Sequence, residues 1–273
     1  FPIAKYQLLR ERLTPFDLFD LALAPLAHPA DIRRVHEPAY VKRFLEGTLP
    51  PAELRRIGFP WSEALVRRTL ASAGATLAAT RVALERGWSG SLAGGTHHAF
   101  YDYGSGYCVF HDLAIAIRTI GQRAAIIDLD VHQGDGTAAL FAHDPEVLTF
   151  SAHGRHNFPF RKQTSDIDLE FDDGTGDDEY LTRVAAVMPR ILEHRPAILF
   201  YQAGVDTLQE DRLGRLSLTL AGLAARDSLV FDTAHQAGVP LVITLGGGYA
   251  EPITATVEAH AQTFLAAARH FGA

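Results

Sequence analysis

Cysteine is almost missing from this chain: Cys108 is the only one in 273 residues. A single thiol excludes an internal disulfide framework and a zinc site built on clustered cysteines. Nothing then calls for an oxidising compartment, so a cytoplasmic location is expected. Long apolar runs are missing too. No stretch approaches the roughly 18 apolar residues of a membrane helix, and the first residues lack the basic, apolar, small-residue order of a secretory signal. Basic charge is the scarcer sign, with 25 Lys and Arg against 32 Asp and Glu, a formal charge of −7. That balance removes the electrostatic basis for binding nucleic acid or an anionic membrane surface. Linkers rich in Pro, Gly and Ser, internal repeats and low-complexity tracts are also lacking, so residues 1–273 are expected to form one domain.

What is present is an alternation of two periodicities. Helical patterns cover about 62–86, 112–120, 137–143, 177–194, 219–237 and 253–270. The first of these has Ser62 as N-cap and Gly87 as its stop. Between them lie short apolar runs at 90–94, 124–129, 147–151, 197–202 and 240–245, each ending in polar residues or glycine. Such alternation predicts an α/β fold with a mostly parallel sheet. The region 152–176, with its glycines, prolines and acids, reads as a surface loop.

Polar residues gather where those runs end. Asp128, Asp130 and His132 close the run AAIIDLDVH, and side chains two apart on an extended segment point the same way. Asp206 follows AILFYQAGV, His97 and His98 follow GSLAGGT, and Tyr249 follows PLVITLGGG. In open α/β sheets ligands bind outside the carboxyl ends of the strands. Asp130, His132 and Asp206 offer two carboxylates and one imidazole, which leaves a fourth position on a zinc ion for water or substrate. Two anionic ligands weaken the ion as an electrophile, so a nearby base is useful. His97 and His98 supply it, with Asp128 and Asp135 as partners that fix their tautomers. A phenol such as Tyr249 can donate a hydrogen bond to a forming oxyanion. A phosphate cradle is a poor reading of Gly246–Gly248, since neither G-x-G-x-x-G nor a Walker sequence occurs.

The ordered elements Gly95-Thr-His-His-Ala, Gly106-Tyr-Cys, Asp128-Leu-Asp-Val-His-Gln-Gly-Asp-Gly, Ala203-Gly-Val-Asp, Asp211-Arg-Leu-Gly and Gly246-Gly-Gly-Tyr resemble the signature of zinc-dependent histone deacetylases, from about residue 36 onward. His132-Gln133 and Gly174-Thr-Gly-Asp-Asp-Glu-Tyr resemble the class IV branch and its bacterial relatives. The resemblance implies a three-layer αβα fold like that of arginases and deacetylases. It also implies one Zn2+ per chain held by Asp130, His132 and Asp206. By the same resemblance His98, paired with Asp135, is the general base and acid, while His97, paired with Asp128, is its electrostatic partner. Tyr249 polarises the acyl carbonyl, Gly106 accepts the substrate N–H, and Tyr107, Phe158 and Leu213 line an acyl-lysine channel. Asp128, Asp130, His132, Ser151 and Ala152 are implied as a structural K+ site. Tyr107 stands where many members have Phe, Leu245 precedes only three glycines, and no acidic rim residue can be placed.

The expected reaction is removal of an acetyl or longer fatty acyl group from lysine Nε in a protein or peptide. A small acylated amine such as an acetylpolyamine is the nearer alternative substrate. A binuclear manganese hydrolase like arginase would need further carboxylates, and Val205-Asp206-Thr207-Leu208 offers only one. A non-catalytic acyl-lysine binder would have no use for the base, its partner and the tyrosine. Cys108 is expected as a small buried residue, His36 as a packing or capping residue, and the acids between Asp166 and Asp173 as a solvated loop. His153 and His156 are expected in a loop near the mouth.

Overall fold

Strand order explains why the polar residues meet. The computed structural model describes residues 1–272, which contain a six-stranded sheet in the order β1-β6-β5-β2-β3-β4. The strands are β1 (Trp88–Gly90), β2 (Ala124–Asp128), β3 (Val147–Gly154), β4 (Ile167–Phe171), β5 (Ile198–Gln202) and β6 (Leu241–Thr244). Every pairing is parallel. From β2 the chain builds outward through β3 and β4, then returns to the other flank of β2 with β5 and β6. The direction of winding therefore reverses between β2 and β5, and a crevice opens above their carboxyl ends. Asp130 and His132 follow β2 there, and Asp206 follows β5.

The central strands β2, β5 and β6 bury both faces, as a parallel sheet between two helical layers requires, while the edge strands β1 and β4 are partly half-buried. Ala125, Ile127, Leu199, Tyr201, Leu241 and Ile243 point into one core. That core is closed by α1 (Ala4–Leu13), α8 (Asp177–Ala185), α9 (Met188–Glu193), α10 (Leu220–Ala237) and α11 (Ile253–Phe271). Ala124, Ile126, Ile198, Phe200 and Val242 point into the other. There they meet α2 (Pro29–Ile32), α3 (Pro38–Leu45), α4 (Pro51–Ile57), α5 (Glu63–Arg86), α6 (Asp112–Ile120) and the end of α7 (Asp135–Phe141). The alternation of neighbouring residues between two cores is the physical content of the three-layer αβα arrangement.

Differences from the expected elements have local causes. Residues 152–176 are not one loop, because β3 runs on to Gly154 and β4 pairs along it. Asp172 and Asp173 are exposed as expected, but two other acids there hold structure: Asp166 accepts bonds from the Thr149 N–H and hydroxyl at 2.8 Å, and Asp168 accepts from Gln133 at 3.0 Å and the Ser165 N–H at 2.9 Å. The expected helix 177–194 is two, with Pro189 in the first turn of the second. Of the expected strand 90–94 only Gly90 lies in a strand, β1, although single backbone bonds to the β6 segment run on through Ser91, Ala93 and Gly94. His153 is fully buried on β3 with its Nδ1 3.0 Å from Ser151 Oγ, so it does not line the mouth. Cys108 and His36 are buried as expected, His36 bridging the Phe100 carbonyl and the His111 N–H at 2.8 Å each.

Candidate active site

Beyond β2 the chain bends at Asp130–His132 yet keeps backbone bonds to both neighbouring strands. The Leu129 N–H donates to the Gln202 carbonyl and the Gly154 N–H to the Val131 carbonyl, so the ladder continues on both sides. That keeps Asp130 and His132 on one side of the chain. His132 Nδ1 lies 3.0 Å from Asp130 Oδ1 and 3.1 Å from Asp206 Oδ2. One donor atom from each residue falls within 4.8 Å of the other two, and all three side chains are buried or nearly so. Arg226 of α10, fully buried against Asp227, donates to the Gly204 carbonyl at 2.6 Å and reaches the Leu129 carbonyl at 3.4 Å. It thereby ties together the two strand ends that carry the three residues.

A cation fits this set. Burial, and then the charge of Asp130, push Asp206 up to about 7 in spite of His132. Two buried carboxylates that disfavour each other's charge are relieved by a dication. Hard oxygens and an imidazole nitrogen suit a divalent ion such as zinc, with room for a further ligand.

The two histidines stand beside this set, each held by a carboxylate. His97 Nδ1 is 2.7 Å from Asp128 Oδ2, and His98 Nδ1 is 2.7 Å from Asp135 Oδ1. Asp128 ends β2 and Asp135 opens α7, so sheet and helix each supply one partner. The segment before them is pinned by Asp112, which accepts the N–H groups of Gly95 and Thr96. Their surroundings push the two rings in opposite directions. Burial opposes a proton on His97, but Asp128 and Asp130 outweigh it and raise the ring to about 9. Burial and the neighbouring His97 instead lower His98 to about 4, in spite of Asp135.

Tyr249 rises from the glycine turn after β6. The Gly247 N–H donates to Asp130 Oδ2 at 2.7 Å and the Tyr249 N–H to Asp211 Oδ2 at 2.6 Å. A Cβ on Gly247 would fall 1.8 Å from Asp206 Oδ2, so only glycine lets the turn pass this close. Lys5 of α1 closes the other side. Its buried Nζ donates to the Gly246 carbonyl at 3.1 Å and to the Gly248 carbonyl at 3.5 Å, and lies 5.4 Å from the Tyr249 ring centre. Burial lowers Lys5 to about 8, although Asp206, Asp130 and Asp211 favour its charge.

A cleft of about 590 Å³ leads to these groups, with Gly106, Tyr107, Phe158 and Leu213 in its walls together with His97, His98, Asp130, His132 and Tyr249. The rings of Phe158 and His98 meet edge to face at 4.9 Å. Tyr107 has φ 67°, unusual for a side chain of its size. Its N–H is held by the Ile57 carbonyl at 2.8 Å. The Gly106 carbonyl, expected to face substrate, accepts the Cys108 thiol at 3.4 Å. His156 is exposed and lines the cleft. A second groove of about 700 Å³ follows β1 and shares the Tyr107 wall, but holds none of the candidate catalytic side chains. Ser151, expected in a potassium site, lies opposite Asp128 on the neighbouring strand, with buried Ala152 next to it.

Lys5, Asp112, Asp211 and Arg226 were not expected as site-building residues. Lys5 shares the buried stripe of α1 with Leu9 and Leu13, four residues apart, but that helix has too little apolar patterning in the sequence to mark it. No helix among the described residues is long and apolar enough to cross a membrane.

Comparison with known proteins gives the fold and the family. Two solved structures share the fold at a TM-score of 0.83, each over 97% of this chain. One is an acetylpolyamine aminohydrolase from Burkholderia pseudomallei, 20% identical and covered over 90% of its length. The other is a histone deacetylase homologue from Aquifex aeolicus, 21% identical and covered over 77%. In sequence, an uncharacterized protein of Picosynechococcus is 47% identical over 95% of this chain and 90% of its own length. The acetoin utilization protein AcuC of Bacillus subtilis is 30% identical over 89% of this chain and 70% of its own. Histone deacetylase 2 of Arabidopsis thaliana is 35% identical over 64% of this chain, which spans about half (48%) of the plant protein. The histone deacetylase domain family matches residues 3–265, nearly the whole chain, and the chain belongs to that family.

Proposed function

We propose that the cleft hydrolyses the amide of an Nε-acyl-lysine, with acyl groups from acetyl upward, in a zinc-dependent enzyme of the class IV kind. The observation that carries this reading is the convergence, on one cleft, of the Asp130–His132–Asp206 set, two His–Asp pairs and Tyr249. Asp130, His132 and Asp206 hold the zinc, which when bound supplies Lewis-acid polarisation of the acyl carbonyl and acidifies water.

The chain's own groups do the rest. Asp135 takes the Nδ1 hydrogen of His98 and so leaves Nε2 free to accept a proton from the attacking water. His97, held protonated by Asp128, contributes positive charge beside the reacting centre. The Tyr249 hydroxyl donates to the oxygen that becomes an oxyanion. His98 then returns its proton to the leaving amine, which departs through walls formed by Tyr107, Phe158 and Leu213. Asp128, Asp130, His132, Ser151 and Ala152 would hold a structural potassium ion, which would stiffen the β2–β3 end, and exchange of K+ for a larger cation is expected to lower activity.

Turnover of a fluorogenic acyl-lysine peptide tests the proposal. Hydrolysis is expected with one zinc per chain by elemental analysis, and a chelator is expected to abolish it. Two ions per chain would favour a binuclear hydrolase instead, and no hydrolysis at any acyl length would favour a non-catalytic binder.

Lys5 positions the tyrosine turn. Removing its ammonium strands two buried carbonyls, and a displacement near 1 Å at a reacting group can lower a rate about 100-fold. Lys5→Met is therefore expected to lower kcat by roughly 10–100-fold with little change in KM or metal content. Asp206, Asp130 and Asp211 favour the charge of Lys5, and nearby His260 is depressed first by burial and then by that charge. As pH rises through about 8 the ammonium is lost, so kcat is expected to fall on the alkaline side. Lys5→Arg keeps the charge and is expected to remove that limb. An unchanged limb in Lys5→Arg would sink the assignment.

A further inference from the structure

The deep wall of the cleft and its mouth carry opposite charge. Among the described residues Asp130 is the only acidic side chain lining the cleft, and it lies at the bottom. The rim instead carries Arg55, Arg56, Arg215 and His156. Arg215 and His156 both sit 3.1 Å from Asp173, which offsets them. Arg55 and Arg56 are exposed at the end of α4, and among the described residues neither has an acidic partner within ion-pair distance. Glu53, the acid on the same helix, is taken by Arg43. Arg56 is fixed next to the walls, with its guanidinium 4.6 Å from the Tyr103 ring centre and its carbonyl accepting the Gly106 N–H. A cationic rim on a chain of net charge −7 is a local departure from the average surface.

We propose that Arg55 and Arg56 select acylated amines whose bodies carry carboxylates, and disfavour polyamines and lysine-rich peptides; the inference rests on the amide-hydrolase reading above. The scissile amide is neutral, so net charge enters through whatever surrounds it at the rim. A polyamine tail or basic flank sets ammonium groups against two uncompensated guanidiniums, whereas a carboxylate finds two partners. Exposed charges act weakly one pair at a time, and salt screens them. The selection therefore acts on encounter and KM, with kcat little changed.

The test uses acetyl-lysine in peptides of one length with flanking Asp or flanking Lys, an Nα-blocked acetyl-lysine with a free carboxylate, and N-acetylputrescine. At low ionic strength kcat/KM is expected to be roughly tenfold higher for the acidic peptide than for the basic one, and the gap is expected to shrink at high salt. Arg55→Glu/Arg56→Glu, at exposed positions, is expected to invert the order. The two carboxylate arms then tell an acidic peptide from a free amino acid as the source. Equal kcat/KM across the series, a preference for N-acetylputrescine, or an order unmoved by both salt and charge reversal would overturn the inference while leaving the hydrolase reading standing. Cleavage of none of these amides, nor of any fluorogenic acyl-lysine peptide, would remove that reading and the inference together.

Discussion

Tyr249→Phe is expected to lower kcat by about 10²–10³ while leaving metal content and KM close to wild type. The substitution deletes one hydroxyl and keeps the ring. The turn that carries the ring is fixed by its backbone, through Gly247 to Asp130, Tyr249 to Asp211 and the two carbonyls on Lys5. None of those bonds involves the phenol, so the fold of the turn survives its loss. The phenol is suited to donate because it keeps its proton. Burial, and then the charges of Asp206 and Asp130, hold it well above its ordinary value. A donor aimed at an oxygen that gains charge only during reaction stabilises the transition state more than bound substrate, so the loss falls on kcat. Steady-state kinetics on one acyl-lysine peptide, with elemental analysis of both proteins, reads the result. A variant with full activity would remove Tyr249 from the mechanism. A variant that has lost its metal would instead assign it to holding the turn.

Much of this site was legible because a strand end is a local feature. The run AAIID followed by Leu129-Asp130-Val131-His132 announces a buried strand and then polar side chains at spacing two, and neither depends on distant contacts. The same holds for His97-His98 after a glycine pair and for Tyr249 after a glycine run. The parallel sheet followed from alternating periodicities, and the order of its strands did not. That β5 lies against β2, which brings Asp206 to Asp130, is a fact of tertiary pairing. Lys5 was hidden for a related reason. Its partners stand more than 240 residues away, and a lysine on a short helix ordinarily snorkels to solvent. β4 was lost in a stretch of acids because Asp166 and Asp168 look solvated until Thr149 and Gln133 are set beside them. The arginine rim needed the third dimension as well, since Arg55, Arg56 and Arg215 line one cleft only in the folded chain.

His98→Ala is expected to lower kcat/KM by about 10²–10⁴, and by more than His97→Ala does. The spacing of two adjacent imidazoles does not choose between them; the family resemblance names His98 as the base, and the surroundings of the two rings supply a physical reason to expect it. A base must arrive unprotonated. His98 is held near 4 by burial and by its charged neighbour, so its ring is neutral at pH 7, with Nδ1 committed to Asp135 and Nε2 free. His97 is held near 9, so it is already protonated and has no lone pair to offer. Its ring centre lies only 4.1 Å from that of His98. Its charge therefore eases the return of the proton from His98 to the leaving amine, since a dication at that spacing is unfavourable. Asp135→Asn is expected to act like a weakened His98→Ala, by releasing the tautomer, and to leave the metal in place. The double variant His97→Ala/His98→Ala is expected to be hardly worse than His98→Ala, because the two rings work on one proton. Single-turnover assays across the set decide the matter. If His97→Ala is the inactive variant and His98→Ala retains most of its rate, the roles are reversed and the charge argument fails.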